Sequence, residues 1–334
     1  MTDNDLIYGA RSGIQKAIRR GDLDLCKTSF DLIWPEKEHR NWLKWRTPVL
    51  IGEEAFHFAG EAAQLIKEKS NDEEAWRKLL YRLTLIRKNK DAGGLEFLGR
   101  MEKIPGEENF SRQHLWELRQ MRAAYAMGDD PGTAATALFK EFTEKNIITS
   151  YWLAGMEVLR NRVFAGGMLG DRWMLVASLI LMASRPCSKK KITSEEKWGI
   201  KRWVTSAGKR KPRMMDLPWY VFDMHTQAGK IVLSAFAKHY QEQFKFASTR
   251  GVEVVWFHME SGLIPDDFQV PVDVDEETVG CVQSSWWPLA TETALRLHLS
   301  KWASVDDFRT AGWPLMQEKL ESLVQWALER RAER

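Results

Sequence analysis

Apolar positions along the chain recur mostly at three- and four-residue intervals, the spacing that lays them on one face of an α-helix. In ARSGIQKAIRRGDLDLCKTSFDLIW they fall at Ile14, Ala17 and Ile18, stop at Gly21-Asp22, and resume at Leu23, Leu25, Phe30, Ile33 and Trp34. That pattern predicts two short amphipathic helices forming a hairpin, with Gly21 as C-cap of the first and Asp22 as N-cap of the second. EEAFHFAGEAAQLIKEKS continues helically. NDEEAWRKLLYRLTLIRKNK opens on an Asn/Asp cap with glutamates in its first turn and closes on lysine and arginine, charges that suit the two ends of a helix dipole; KNKDAGG then breaks it. Further helices are predicted over 110–127, opened by Ser111; over 131–145, where Asp130-Pro131 supplies a cap and a proline at the first helical position; and over 149–164, 171–184 and 194–207.

The last hundred residues are less uniform. GVEVVWFHME reads as a short strand or a buried helix, and PDDFQVPVDVDEETVG, with two prolines and several acids, as an extended loop. Helix returns in WPLMQEKLESLVQWALERRAER. The expected fold is therefore mainly all-α, with one small irregular or β element, and no internal repeat or low-complexity tract interrupts it.

With 334 residues the chain can bury a sizeable core without disulfides or metal. Its three cysteines, Cys26, Cys187 and Cys281, are odd in number and far apart, so they read as small buried thiols. No apolar run approaches the roughly 18 residues of a membrane span, and Met1 leads into polar MTDND; a soluble cytoplasmic protein with no membrane partner is expected. Phosphate-loop and dinucleotide glycine signatures are missing, as is HExxH, and the seven histidines are scattered, so no cofactor and no metal are expected. AGGMLGDR at 165–172 is glycine-rich but lacks the phosphate-reaching lysine and reads as a helix connection.

Net charge is only +3, so any attraction for nucleic acid has to come from local clustering. SKKKITSEEKWGIKRWVTSAGKRKPR, residues 188–213, supplies it. Lys189, Lys190, Lys191, Lys197, Lys201, Arg202, Lys209, Arg210, Lys211 and Arg213 face only Glu195 and Glu196, with Trp198 and Trp203 interleaved. Cations release counterions from a phosphate backbone, and aromatic rings among them stack on bases. Lys16, Arg19 and Arg20 in the first helix are candidate additional contacts. The competing view is a solvated loop–helix–loop whose tryptophans face a core, as most of the 16 tryptophans are expected to do.

A few residues later, PWYVFDMHTQAGK sets Asp223, His225 and Thr226 behind an apolar run. Two readings stand. In one, Asp223 caps a helix that starts there, Thr226 sits at N3, and His225 is a satisfied core residue. In the other, DNA gripped by 189–213 reaches a catalytic Asp223, with His225 and Thr226 beside it and a flipped base held among Trp219, Tyr220 and Phe222. A lone carboxylate without a metal cluster suits N-glycosidic cleavage better than two-metal phosphodiester cleavage, which predicts a metal-independent DNA glycosylase. Glu53 and Glu54 are adjacent and share no helix face, so a surface role or an Arg46 salt bridge is expected of them. Asp266, Asp267, Asp273, Asp275, Glu276 and Glu277 lack calcium-loop spacing and read as a solvated acidic loop.

SGIQKAIRRGDLDLCKTSFDLIW followed by WLKWRTPVLIGEEAFHFAG resembles the C-terminal helical region of RarA/MgsA-type replication-associated AAA+ ATPases, which is related to the clamp-loader collar. The residues that carry the likeness are Gln15-Lys16-Ala17-Ile18-Arg19-Arg20-Gly21-Asp22, Trp45-Arg46, Val49 and Glu53-Glu54-Ala55, where the family usually has Glu-Asp-Ile-Gly. DMHTQAGKIVLSAF is similar to a stretch of stand-alone phage and bacterial relatives of this collar. The likeness covers residues 8–100 and 218–240. It implies a collar-like helical fold, and the expected organisation is a collar-like region over 1–105 and a helical region over 106–334 that holds the basic segment 188–213 and the acidic loop 265–280, with one continuous domain as the alternative. It further implies work near DNA, in repair or phage defence by analogy, and no ATPase, since the motor is missing. The alternative to a glycosylase that it suggests is a non-catalytic DNA-binding and assembly module, with a homo-oligomer as one possible form.

Overall fold

A computed structural model describes residues 3–68, 71–86, 88–185, 192–206, 217–246, 248–262 and 285–332. Among them every regular element is helical. In chain order these are α1 (Asp3–Arg20), α2 (Leu23–Ile33), α3 (Lys37–Glu54), α4 (Ala59–Glu68), α5 (Glu73–Leu85), α6 (Asp91–Gly99), α7 (Arg112–Ala126), α8 (Pro131–Glu144), α9 (Ser150–Gly166), α10 (Leu169–Ser184), α11 (Ser194–Ser206), α12 (Gln227–Tyr240), α13 (Thr249–Gly262), α14 (Trp286–His298) and α15 (Trp313–Ala332). Short turns at Phe56–Phe58, Glu107–Asn109, Trp219–Val221 and Val305–Gly312 lie between them. No described helix is long and apolar enough to cross a membrane.

The chain divides into two compact units, and the division does not fall near residue 105. The first unit comprises Met1–His39, Ala207–Pro265 and Thr291–Arg334; the second comprises Arg40–Ser206 and Asp266–Ala290. The N-terminal hairpin thus groups with the C-terminal helices rather than with residues 40–105.

In the first unit α1 and α2 form the expected hairpin. Gly21 turns the chain with φ +66, a conformation that costs glycine nothing, and the Asp22 carboxylate accepts a 2.9 Å bond from the Leu25 amide. Ile14, Ala17 and Ile18 of α1 and Cys26, Phe30 and Ile33 of α2 are buried. GVEVVWFHME resolves as helix rather than strand, because Val252, Val255, Trp256 and Met259 are buried at the i, i+3, i+4, i+7 spacing of one helix face. α12 packs on α13 and α15. The Trp302 indole donates to the Phe244 carbonyl at 2.7 Å beside the buried Phe236, Phe244, Phe246 and Phe308 rings.

The second unit centres on α10, whose residues 175–182 are all buried and which packs on α6, α7, α8 and α9. α4 and α9 approach closely because both carry glycine at the crossing: a Cβ on Gly155 would sit 2.7 Å from the Ala59 carbonyl oxygen. The caps read from the pattern are present, with Asp72, Ser111 and Asp130 each accepting from the first turn of α5, α7 and α8. Arg46 bonds Glu53 at 3.3 Å, as expected, and also Asp171 at 3.2 Å.

Candidate functional site

The 219–221 turn lowers the chain into the first unit so that Val221, Phe222 and Asp223 are buried one after another. α12 begins only at Gln227, and its N-cap is Thr226, whose hydroxyl accepts a 3.0 Å bond from the Gly229 amide. The expectation that Asp223 caps this helix with Thr226 at N3 is therefore corrected. Asp223 lies too early for that, and its carboxylate serves another group. One oxygen meets the Lys16 ammonium of α1 at 3.2 Å; the other accepts from the His225 amide at 3.0 Å and faces His225 Nδ1 at 3.3 Å. The Asp223 carbonyl accepts from the Thr226 amide and hydroxyl, both at 2.9 Å. Gly229 is what lets the turn close, since a Cβ there would lie 1.6 Å from that carbonyl oxygen.

Burial is the largest influence on the Asp223 carboxyl and by itself raises its pKa. The Lys16 ammonium and the His225 hydrogen bonds outweigh it, leaving the carboxyl well below the usual carboxylate range. Glu260 of α13 shifts the other way. Burial raises it, and the charge of Asp223 adds to this, against the pull of Arg20 and Lys16. Sequence reading missed Glu260, although a glutamate at the end of the apolar run VVWFHME was the available signal.

The accessibility of these residues decides what they can do. Asp223 is 6% exposed and Thr226 is buried, whereas the His225 side chain is 62% exposed. Phe222 is sealed against Gly9, where a Cβ would stand 2.6 Å from its ring. Tyr220 lies under the Arg20 guanidinium at 3.9 Å, and Trp219 meets Tyr220 edge-on, with centroids 6.1 Å apart. Phe222 is buried, while Trp219 and Tyr220 are half-buried. Two of the first-helix cations are likewise turned inward: Lys16 is buried on Asp223, and Arg20 is paired with Glu260. Arg19 is half-buried.

α11 contrasts with this. Thr193 and Glu196 form a reciprocal cap at its start, the Glu196 amide donating to Thr193 Oγ1 at 3.1 Å and the Thr193 amide to the Glu196 carboxylate at 2.8 Å. Its inner face is fixed by close packing on α5, where a Cβ on Gly199 would lie 1.9 Å from the Tyr81 hydroxyl. Ile200 and Trp203 are buried on that face, with Arg77 over the Trp203 ring at 5.3 Å. The helical period then turns Lys197, Trp198, Lys201 and Arg202 outward. Trp198 is 64% exposed, with the Arg202 guanidinium 5.4 Å from its ring centroid. Glu196 is drawn toward Arg82 at 3.7 Å, which leaves Glu195 as the exposed acid of this helix. Lys189, Lys190, Lys191, Lys209, Arg210, Lys211 and Arg213, together with the acids Asp266, Asp267, Asp273, Asp275, Glu276 and Glu277, lie outside the described residues.

Among the described residues no group of histidine, cysteine or acidic side chains is arranged to hold a metal ion. No family matches the chain, and neither does any curated protein or solved structure at a significant level.

Proposed function

We propose that the protein is a nucleic-acid-binding helical module, non-catalytic, that grips a phosphate backbone through α11 and its flanking cationic tracts and stacks a base on Trp198. The observation that carries this reading is the outer face of α11: an exposed tryptophan beneath an arginine, set between two lysines, on a helix whose opposite face is locked into the core. Rings and cations so interleaved supply both terms of single-strand binding, counterion release and base stacking. In sequence, α11 is bracketed by Lys189–Lys191 and Lys209–Arg213, so the positive charge extends beyond both its ends. The resemblance of residues 8–100 to a clamp-loader collar agrees with a module that works at DNA alongside other subunits.

Burial of Asp223 is what favours binding over base excision. A glycosidic carboxylate has to reach the sugar of a flipped nucleotide, and this one is enclosed and committed to Lys16. The test is fluorescence anisotropy with labelled single-stranded and duplex DNA between 50 and 200 mM salt. Neutralising Lys197, Lys201 and Arg202 together is expected to lower the log–log salt slope by roughly 2 to 3, since each released phosphate contact contributes about 0.7 to 0.9. Trp198→Ala is expected to weaken single-strand binding by about 1–3 kcal/mol. If DNA is not bound at 50 mM salt, or if these variants bind as the parent does, the proposal fails. Alkali-labile sites made by the parent and lost in Asp223→Asn would restore the glycosylase reading.

A further inference from the structure

The second unit carries a separate concavity that α11 does not explain. It has a volume of about 820 Å³, within the range of about 300–1,000 Å³ of ligand-holding clefts, and lies where α7, the start of α10 and the 99–102 segment converge. Its aromatic lining is the half-buried Tyr125 backed by Trp173, which is only 3% exposed, with ring centroids 4.3 Å apart and planes inclined by 43°. At its rim is Leu169, 55% exposed, and the preceding Met168 is 69% exposed. This is the AGGMLGDR connection, whose methionine and leucine add exposed apolar surface beside the cleft.

The charged side chains that line the cleft differ in whether they are already paired. Its two arginines are already neutralised. Arg100 donates to the Tyr125 hydroxyl at 3.0 Å and is ion-paired with Glu96. Arg122 is bidentate on Glu107 at 2.7 and 2.9 Å and also donates to the Met101 and Glu102 carbonyls. The acids of the lining are not neutralised. Glu102 and Asp129 are exposed, and neither makes an ion pair with a described residue. An aromatic and aliphatic trough edged by free carboxylates is complementary to an apolar side chain accompanied by a cation, and it repels a phosphate backbone.

We infer that this cleft docks a segment of a partner protein that inserts a leucine-like side chain against Tyr125, Trp173 and Leu169 and places a neighbouring lysine or arginine on Glu102 and Asp129. Met101, the methionine of the lining, is flexible and polarisable and accommodates side chains of several shapes. The chain then has two faces of opposite preference in one unit: a cationic helix for nucleic acid and an acidic apolar cleft for protein.

The test titrates the full chain by calorimetry with two synthetic amphipathic peptides, one of leucine and lysine, the other of leucine and glutamate. Saturable binding of the leucine–lysine peptide is expected, at least about tenfold tighter than the leucine–glutamate peptide. Leu169→Asp, and separately the pair Glu102→Lys and Asp129→Lys, are expected to weaken it by about tenfold or more. These side chains are exposed, so circular dichroism and melting of the variants should match the parent. DNA binding through α11 should be unchanged in all of them, which keeps this inference independent of the one above. Failure of both peptides to bind, equal binding of both, or binding indifferent to the substitutions would overturn it. So would loss of DNA binding in Leu169→Asp, which would make the cleft part of the nucleic-acid surface.

Discussion

Replacing Lys16 by methionine tests whether the Asp223 site is structural. Methionine is close to lysine in length and volume, so the change removes the ammonium and little else. The Lys16 and Asp223 side chains are 3% and 8% exposed and 3.2 Å apart, so the variant strands a carboxylate in the interior. Breaking a buried pair from one side costs about 3–5 kcal/mol. Adding Asp223→Leu removes the stranded charge and is expected to recover most of that loss, short of the Asp223–His225 amide bond, itself worth about 0.5–1.5 kcal/mol. The assay is urea unfolding of the parent, both single variants and the double variant at pH 7, read as a double-mutant cycle. The pH dependence follows from the same contact. The folded pKa of Asp223 is depressed, so its stabilising contribution is complete above the unfolded value of about 3.9 and is lost as pH falls through the lower folded value. In Lys16→Met burial is no longer offset by the ammonium, so the folded value rises toward or past the unfolded one and the acid-side loss shrinks or disappears. A cost below about 1 kcal/mol in Lys16→Met, with no recovery in the double variant, would refute the pairing and reopen Asp223 to chemistry.

Three further outcomes follow from the same geometry. Thr226→Ala is expected to lower stability by about 0.5–2 kcal/mol and Thr226→Ser to restore it, as a cap requires and a catalytic hydroxyl does not; thermal melts of the three proteins decide it. In Gly229→Ala the new methyl would meet the Asp223 carbonyl, which is backbone and cannot rotate away, so the loss should reach or exceed the upper end of the roughly 1–3 kcal/mol of ordinary overpacking. Asp91→Ala in the second unit removes the acceptor of the Ser285 and Trp287 amides and the partner of Arg185. Hydrogen exchange at Ser285 and Trp287 should accelerate while the amides of α12 keep their protection, and equal acceleration in both places would contradict the local role.

Features that depend on neighbours along the chain are legible in the sequence. The Gly21-Asp22 hairpin, the caps at Asp72, Ser111 and Asp130, and the extents of α7 to α11 follow from local hydrogen-bond chemistry and period. The α13 segment is ambiguous there because the short, largely apolar stretch GVEVVWFHME satisfies both strand and helix templates, and only the burial of one face separates them. Contacts between distant residues leave no local trace. Lys16 looks like one cation of a basic helix, yet it is held by a carboxylate 207 positions later. Asp91 binds the backbone at Ser285, and no propensity argument connects those two places.

The tetrapeptide Asp-Met-His-Thr shows how one composition carries two readings. A carboxylate, an imidazole and a hydroxyl crowded into four residues resemble a reaction centre because both catalysis and tight turns select short polar side chains that bond nearby groups. Here the polar groups are engaged within the fold: Asp223 by Lys16 and by the amide and Nδ1 of His225, Thr226 by Gly229 and the Asp223 carbonyl, while the rest of the His225 ring is exposed. Gly229 then needs no phosphate or substrate to explain it, since the Asp223 carbonyl already fills the space a side chain would take. Groups still free to act on another molecule have to be exposed and rigidly carried, a condition that Trp198, Lys201 and Arg202 meet on α11. Under the nucleic-acid-binding proposal, function depends on which face of α11 is locked by Gly199 and Trp203, and reversing that face is expected to weaken DNA binding without touching a single basic residue.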